Sequence, residues 1–159
     1  INELCNDIIS FEYSKNTIIG ENEHVFIWPL ADEVINLLDA SISNKLSSSL
    51  TLDFNIIDLK KILMNLLHNA LKYAQSTEIT IYNLNQKIII EDCGVGIESK
   101  YLSKIFNPFY TVEYSKNREI NGFGLGLAIT KNLCNRNNFS IEYDTSYNNG
   151  ARFILFIKR

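Results

Sequence analysis

"NLLHNALKYA", residues 65–74, decides how the rest of this chain is read. At roughly 100° per residue, Asn65, Asn69 and Lys72 fall within about 60° of one another, while Leu59, Leu63, Leu66, Leu67, Ala70 and Ala74 gather on the far side. The pattern predicts a helix from Asp58 to Ala74 whose apolar stripe packs on a sheet and whose Asn stripe faces outward. A solvated face accounts easily for one asparagine. Two in register with a lysine ask for more, because Asn forms helices less well than the Glu, Lys or Gln that serve on a plain surface. A neutral carboxamide oxygen can ligate a hard cation such as Mg²⁺, and a lysine can meet a phosphate as a point charge.

Downstream, "EITIYN" (78–83) and "QKIIIED" (86–92) are β-rich runs around a short turn and predict a hairpin. The second run leads into "EDCGVGI" (91–97), where an acid at a strand end is followed by Gly-x-Gly. Such a turn lets a flat ligand approach the backbone, and Asp92 could accept a hydrogen bond from an exocyclic amine; alone, a plain tight turn explains it better, since Asp and Gly dominate turns anyway. "ESKYLSKIF" (98–106) predicts a short helix, and "NPFYTVEYSKNREING" (107–122) is a loop long and polar enough to be a mobile lid. In "NGFGLGLAITKNL" (121–133), Gly122, Gly124 and Gly126 lead into a helix expected from near Leu125 to about Asn135. Bare N–H groups at a helix start form an anion site, but G-x-G-x-G after a polar loop is not a dinucleotide turn. "FSIEYDT" (139–145) and "ARFILFIKR" (151–159) predict a closing hairpin around "SYNNG".

Upstream, "HVFIWPL" (24–30) predicts a strand stopped by Pro29, and "EVINLLDASISNKL" (33–46) a helix opened by Asp32 and Glu33. "SLTLDF" (49–54) alternates as a strand does. Residues 1–16, with Leu4, Ile8, Ile9 and Phe11 at helical spacing, read as the end of a helix belonging to a preceding element. About five strands and three principal helices in mixed order imply a sheet covered on one face by helices.

With 159 residues, 46% of them hydrophobic, the chain is expected to form one domain. No stretch approaches the roughly 20 apolar residues of a membrane span, so no membrane contact by this chain is expected; its start at Ile1 reads as a cut from a longer parent, for which a membrane anchor stays open. Cys5, Cys93 and Cys134 are odd in number and unpaired in spacing, which fits a reducing cytoplasm. A net charge of −3 gives no general attraction for nucleic acid, so any bound anion must be held locally.

Taken in order, "NLLHNALKYA", "DCGVGI", "IFNPF" and "GFGLGLAI" resemble the N, G1, F and G2 boxes of the ATP-binding domain of sensor histidine kinases, over about residues 25–159. The resemblance implies the two-layer α/β sandwich shared with gyrase-type and Hsp90-type ATPases, the Bergerat ATP-binding fold. It implies ATP and Mg²⁺, with Asn69 as metal ligand, Asn65 supporting metal and phosphates, Lys72 on the phosphates and Tyr73 beside the nucleotide. It implies that Asp92 takes the adenine amine, with Gly94 and Gly96 giving the ring room and Ile97 next to it. Gly122, Gly124, Leu125 and Gly126 flank the lid and line the phosphates. Residues 1–20 are then a remnant of the dimerisation helix with its linker, and residues 21–159 the catalytic domain.

The partners implied are the dimerisation and phosphoacceptor domain of a homodimeric parent and a cognate response regulator. Two departures stand out. Where many members carry a basic residue after the F-box aromatic pair this chain has Tyr110 and Thr111, which leaves Lys116 and Arg118 in the lid as candidates for the γ-phosphate. The family's phosphoacceptor box is absent, since His24 lies in an expected strand and His68 inside the N-box. The expected activity is therefore transfer of the γ-phosphate to a histidine on a separate domain. The alternatives are an ATPase of the same superfold, which resemblance associates with a Glu where this chain has Asn65, and a module that binds nucleotide without transferring from it.

Overall fold

In a computed structural model of the chain, the residues described are 2–16, 20–74, 78–112 and 122–157. The long helix foreseen around the N-box spans Ile56–Tyr73 (α3), two residues earlier at its start than the apolar periodicity indicated. Its N-cap is Asn55, whose side chain accepts from the Asp58 N–H, a bond that satisfies one of the donors orphaned at any helix start. Leu59, Ile62, Leu63, Leu66, Leu67 and Ala70 are buried along one face.

Among the described residues, seven strands form two sheets. Glu23–Phe26 (β1) pairs antiparallel with Thr51–Phe54 (β3) as a ribbon. Ser43–Lys45 (β2), Ile79–Leu84 (β4), Lys87–Asp92 (β5), Phe139–Tyr143 (β6) and Arg152–Ile157 (β7) form a mixed sheet in the order β2-β4-β5-β7-β6. Only the β2–β4 pair among these is parallel. Ile79, Ile81, Ile88, Ile90, Phe153 and Leu155 share one core with the helices. On the other face, Tyr82 and Arg152 both bond Glu91, and Arg152 also reaches Asp144. One face is thus apolar and helix-covered, and the other carries this charged cluster beside Ile89 and Ile154, as in a two-layer α/β sandwich. Register puts Asp92 on the same side as Ile88 and Ile90, so the acid at the end of β5 looks into the helix layer.

Three local expectations are corrected. The strand ends at Phe26, and Pro29 sits in the first turn of helix α2 (Ile27–Leu37), where a missing N–H has no intrahelical partner to lose. That helix stops at Leu37 because Asp39 turns to φ 48, and the "SNK" expected to continue it becomes β2, held by pairing with β4. "ESKYLSKIF" forms one 3₁₀ turn, Ser99–Tyr101, followed by further i→i+3 bonds from Lys104 and Asn107 rather than an α-helix.

Helix α4 spans Gly126–Arg136 and packs on α3. Its last residue, Arg136, reaches back to the start of α3, where its Nε donates to Asp58 Oδ2 at 2.7 Å and its Nη2 pairs with Oδ1; Asn137 Nδ2 bonds the same carboxylate. Asp58 is fully buried, so these partners satisfy a charge that would otherwise be strongly unfavourable there. The N-terminal helix, Asn2–Lys15 (α1), packs on α4 through Arg136, which donates to Tyr13 O, and Asn132, which donates to Ser14 Oγ. Among the described residues it is a further helix beside α2, α3 and α4. Among the described residues no helix is long and apolar enough to cross a membrane.

Candidate active site

A cleft of about 230 Å³ opens between α3, the end of β5 and the start of α4. Asn65, Asn69, Lys72 and Tyr73 line it from α3, and Asp92, Gly96 and Ile97 from the β5 end. Gly122, Gly124, Leu125 and Gly126 complete the wall. The Asn stripe is half-buried rather than open to bulk solvent, because α4, α1 and residues 110–112 fold over it. Of the twelve site residues carried over from the motifs, Gly94 alone is not part of the wall.

At the β5 end Asp92 is 4% exposed. Its Oδ1 accepts from the Gly94 N–H at 2.8 Å and the Ala151 N–H at 3.2 Å, and Oδ2 has no partner among the described residues. Burial raises its pKa from the ordinary value, and the two backbone donors offset this in part. Gly94 is needed for close approach: a Cβ there would lie 2.4 Å from Tyr73 O, so the turn could not tuck beneath the end of α3. Two tyrosines from the β6–β7 hairpin finish this end. Tyr147 Oη donates to Asp92 O, and Tyr143 Oη accepts from the Ile97 N–H at 3.0 Å. Neither was indicated by the sequence, and the only nearby cue was the turn glycine, Gly150.

The other end holds the amides and the lysine. Asn65 Nδ2 donates to Gly126 O at 3.1 Å and Thr130 Oγ1 at 3.4 Å, so its Oδ1 is left for the cleft. Asn69 makes no hydrogen bond among the described residues. Lys72 Nζ stands 5.1 Å from the Tyr73 ring centroid; burial lowers its pKa and Glu3 partly restores it. The start of α4 has no side-chain cap, so its dipole and free N–H groups face this end. Two acids from α1 also reach the cleft, Glu3 and Asp7. Burial and then Glu3 raise the Asp7 pKa, while Lys61 and His68 oppose them.

The F-box backbone is stitched to the glycine-rich segment: Phe109 N–H donates to Gly124 O at 2.9 Å. Gly124, at φ +71 and with a would-be Cβ 2.7 Å from Tyr110 O, could not be replaced without moving that loop. Thr111 lines the cleft beside it. The lid candidates Lys116 and Arg118 lie outside the described residues.

The site therefore offers two uncharged carboxamide oxygens, a lysine, an uncapped helix start and a buried carboxylate across an apolar-floored slot. Such a donor set fits a hard divalent cation with phosphates at one end and a flat amine-bearing ring at the other. A family model described as histidine kinase-, DNA gyrase B-, and HSP90-like ATPase matches residues 54–159. The chain belongs to this family, and what it carries is a sensor-kinase ATP-binding domain. It is 31% identical over 96% of its length to the autoinducer 2 sensor kinase/phosphatase LuxQ of Vibrio parahaemolyticus, of which it covers 20%. Among solved structures, full-length ShkA in complex with AMPPNP superposes with a TM-score of 0.76 at 22% identity over 96% of this chain and 34% of that one. The Acinetobacter baumannii histidine kinase AdeS gives 0.73 at 22% identity over 99% of this chain and 77% of that one. The chain spans about a fifth of the length of the curated relatives it matches first.

Proposed function

We propose that this chain binds ATP with Mg²⁺ and offers the γ-phosphoryl group to a histidine on a separate dimerisation and phosphoacceptor domain of a homodimeric, cytoplasm-facing parent, which passes it to a response regulator. In this reading residues 1–20 end the dimerisation helix and residues 21–159 are the catalytic domain. Asp92 accepts from the adenine amine, Gly96 and Ile97 border the ring, and Tyr73 lies beside the nucleotide. Asn69 is the metal ligand, Asn65 adds its Oδ1, and Lys72 and the start of α4 meet the phosphates. The cation neutralises charge on the phosphates when bound.

Phosphoryl transfer then needs little covalent help from the protein: the acceptor nitrogen forms the bond to phosphorus as the bond to the ADP oxygen breaks, and positioning and charge do the rest. The observation that carries the reading is Asn65. Its NH₂ donates to Gly126 O and Thr130 Oγ1, so position 65 presents an uncharged acceptor that cannot take a proton from water. That favours a kinase over an ATPase of the same fold.

The test is to incubate this chain, γ-labelled ATP and Mg²⁺ with the parent's separately made acceptor domain. The expected result is an acid-labile, base-stable phosphate on the added domain, and neither label nor steady phosphate release from the chain alone. Label on His24 or His68, or sustained hydrolysis without acceptor, would overturn it; tight ATP binding with no transfer would favour the nucleotide-sensing module.

A further inference from the structure

Asn65 can serve the cation only if its oxygen, not its nitrogen, faces the cleft, and the carboxamide is near enough to symmetric that something must choose. The choice is made by α4. Thr130, wholly buried, donates its single hydroxyl proton to Gly126 O at 2.9 Å, the back-bond to residue i−4 that a helical threonine can make. Its oxygen can then only accept from a neighbour, and it accepts from Asn65 Nδ2 at 3.4 Å. Gly126 O accepts from the same Nδ2 at 3.1 Å. Asn65 Nδ2 thus faces two acceptors, and turning the carboxamide over would set Oδ1 against two oxygens whose one shared proton is already placed.

We propose that Thr130 is a positioning residue for the metal-and-phosphate end of the site: its hydroxyl fixes the Asn65 carboxamide with Oδ1 toward the cation, and it acts only through Asn65. The proposal rests on the Mg·ATP reading above. It makes α4 more than the helix whose start meets phosphate, because the second turn of α4 sets the polarity of a ligand carried by α3.

The experiment measures ATP affinity by calorimetry with and without Mg²⁺ for the parent chain, Thr130→Val, Thr130→Ser, Asn65→Ala and the Asn65→Ala/Thr130→Val double variant. Thr130→Val, nearly isosteric, is expected to weaken ATP binding about fivefold in Mg²⁺, the size of one lost hydrogen bond, and to leave metal-free binding unchanged. Thr130→Ser should retain parental affinity, and Thr130→Val should be silent once Asn65 is alanine. An equal loss with and without Mg²⁺, a loss that adds to that of Asn65→Ala, or no loss at all would overturn the proposal. On the unmodified protein, the two Nδ2 hydrogens of Asn65 should be well separated by NMR and exchange more slowly than those of Asn69; equal, fast exchange would overturn it without any variant having to fold. If the parent chain shows no Mg²⁺ dependence, the metal reading falls, while the Asn65 resonances still decide whether Thr130 orients that side chain.

Discussion

At the Asp92 end of the cleft the groups that shape the wall are already bonded to one another, whereas at the other end Asn65 is held by α4 but Asn69 and Lys72 have no such bonds among the described residues. Asp92 holds two backbone N–H groups, Tyr147 holds the Asp92 carbonyl and Tyr143 holds Ile97. Asn69 has no hydrogen bond and Lys72 no ion pair among the described residues, and each is only half-buried. A bonded wall recognises shape and contributes to the fold's own stability. An open end gains its order from the ligand, and its residues can be changed at little cost to the fold. The same substitution type should therefore move two observables at one end and one at the other.

The largest effect is expected at Asp92. Asp92→Ala should weaken ATP binding by about 1.5–3 kcal/mol, as for a hydrogen bond to a charged group, and should also lower the melting temperature because the Gly94 and Ala151 N–H groups lose their acceptor. GTP, which presents a carbonyl where adenine has its amine, should bind neither form; equal affinity of the parent chain for ATP and GTP would remove the adenine assignment. Acidity sharpens the point. Since burial raises the Asp92 pKa above the ordinary 3.8, stability from its protonated form is fully present below 3.8 and lost as pH rises through the raised value. Adenine binding runs the other way, because it needs the carboxylate: ATP affinity should fall on acidification at a pH above 3.8, and Asp92→Asn should abolish that dependence.

Next in size, Asn69→Ala should remove the Mg²⁺-dependent part of ATP affinity, about a factor of ten or about 1.4 kcal/mol, with an unchanged melting temperature. Unfolding of this variant, or superimposable Mg²⁺ titrations of variant and parent, would erase the contrast between the two ends. The smallest effect belongs to Tyr147→Phe, which removes one bond to the Asp92 carbonyl and should cost about 1 kcal/mol of stability by denaturant titration while leaving Mg²⁺ dependence intact. A loss of Mg²⁺ dependence in that variant would show that the two ends are not separable.

Much of this was legible along the chain. Helix α3, both hairpins and the start of α4 were set by patterns that operate within a few residues: apolar spacing, β-rich runs around short turns, and glycines leading into a helix. Of the twelve site residues read from the motifs, eleven line one cleft, since each motif carries its own local geometry. Where the reading failed, the deciding contact was distant. The polar run 43–45 became a strand because β4 offered it a ladder, and the helix that takes in Pro29 begins where Ile27 N–H bonds Leu50 O, just before β3.

Left to itself, the sequence determined which residues carry acceptors, charge and bare backbone, because residue type and short-range spacing are sufficient for that. Only the tertiary structure decided how they are oriented and what else joins them. Tyr143 meets Ile97 across 46 residues, Tyr147 meets Asp92 across 55, and Asn65 meets Thr130 across 65. Glu3 and Asp7 enter the cleft only because α1 docks on α4. A hydrogen bond has a direction as well as a partner, and over such separations both are fixed by the packing of helices on the sheet, which no local pattern encodes.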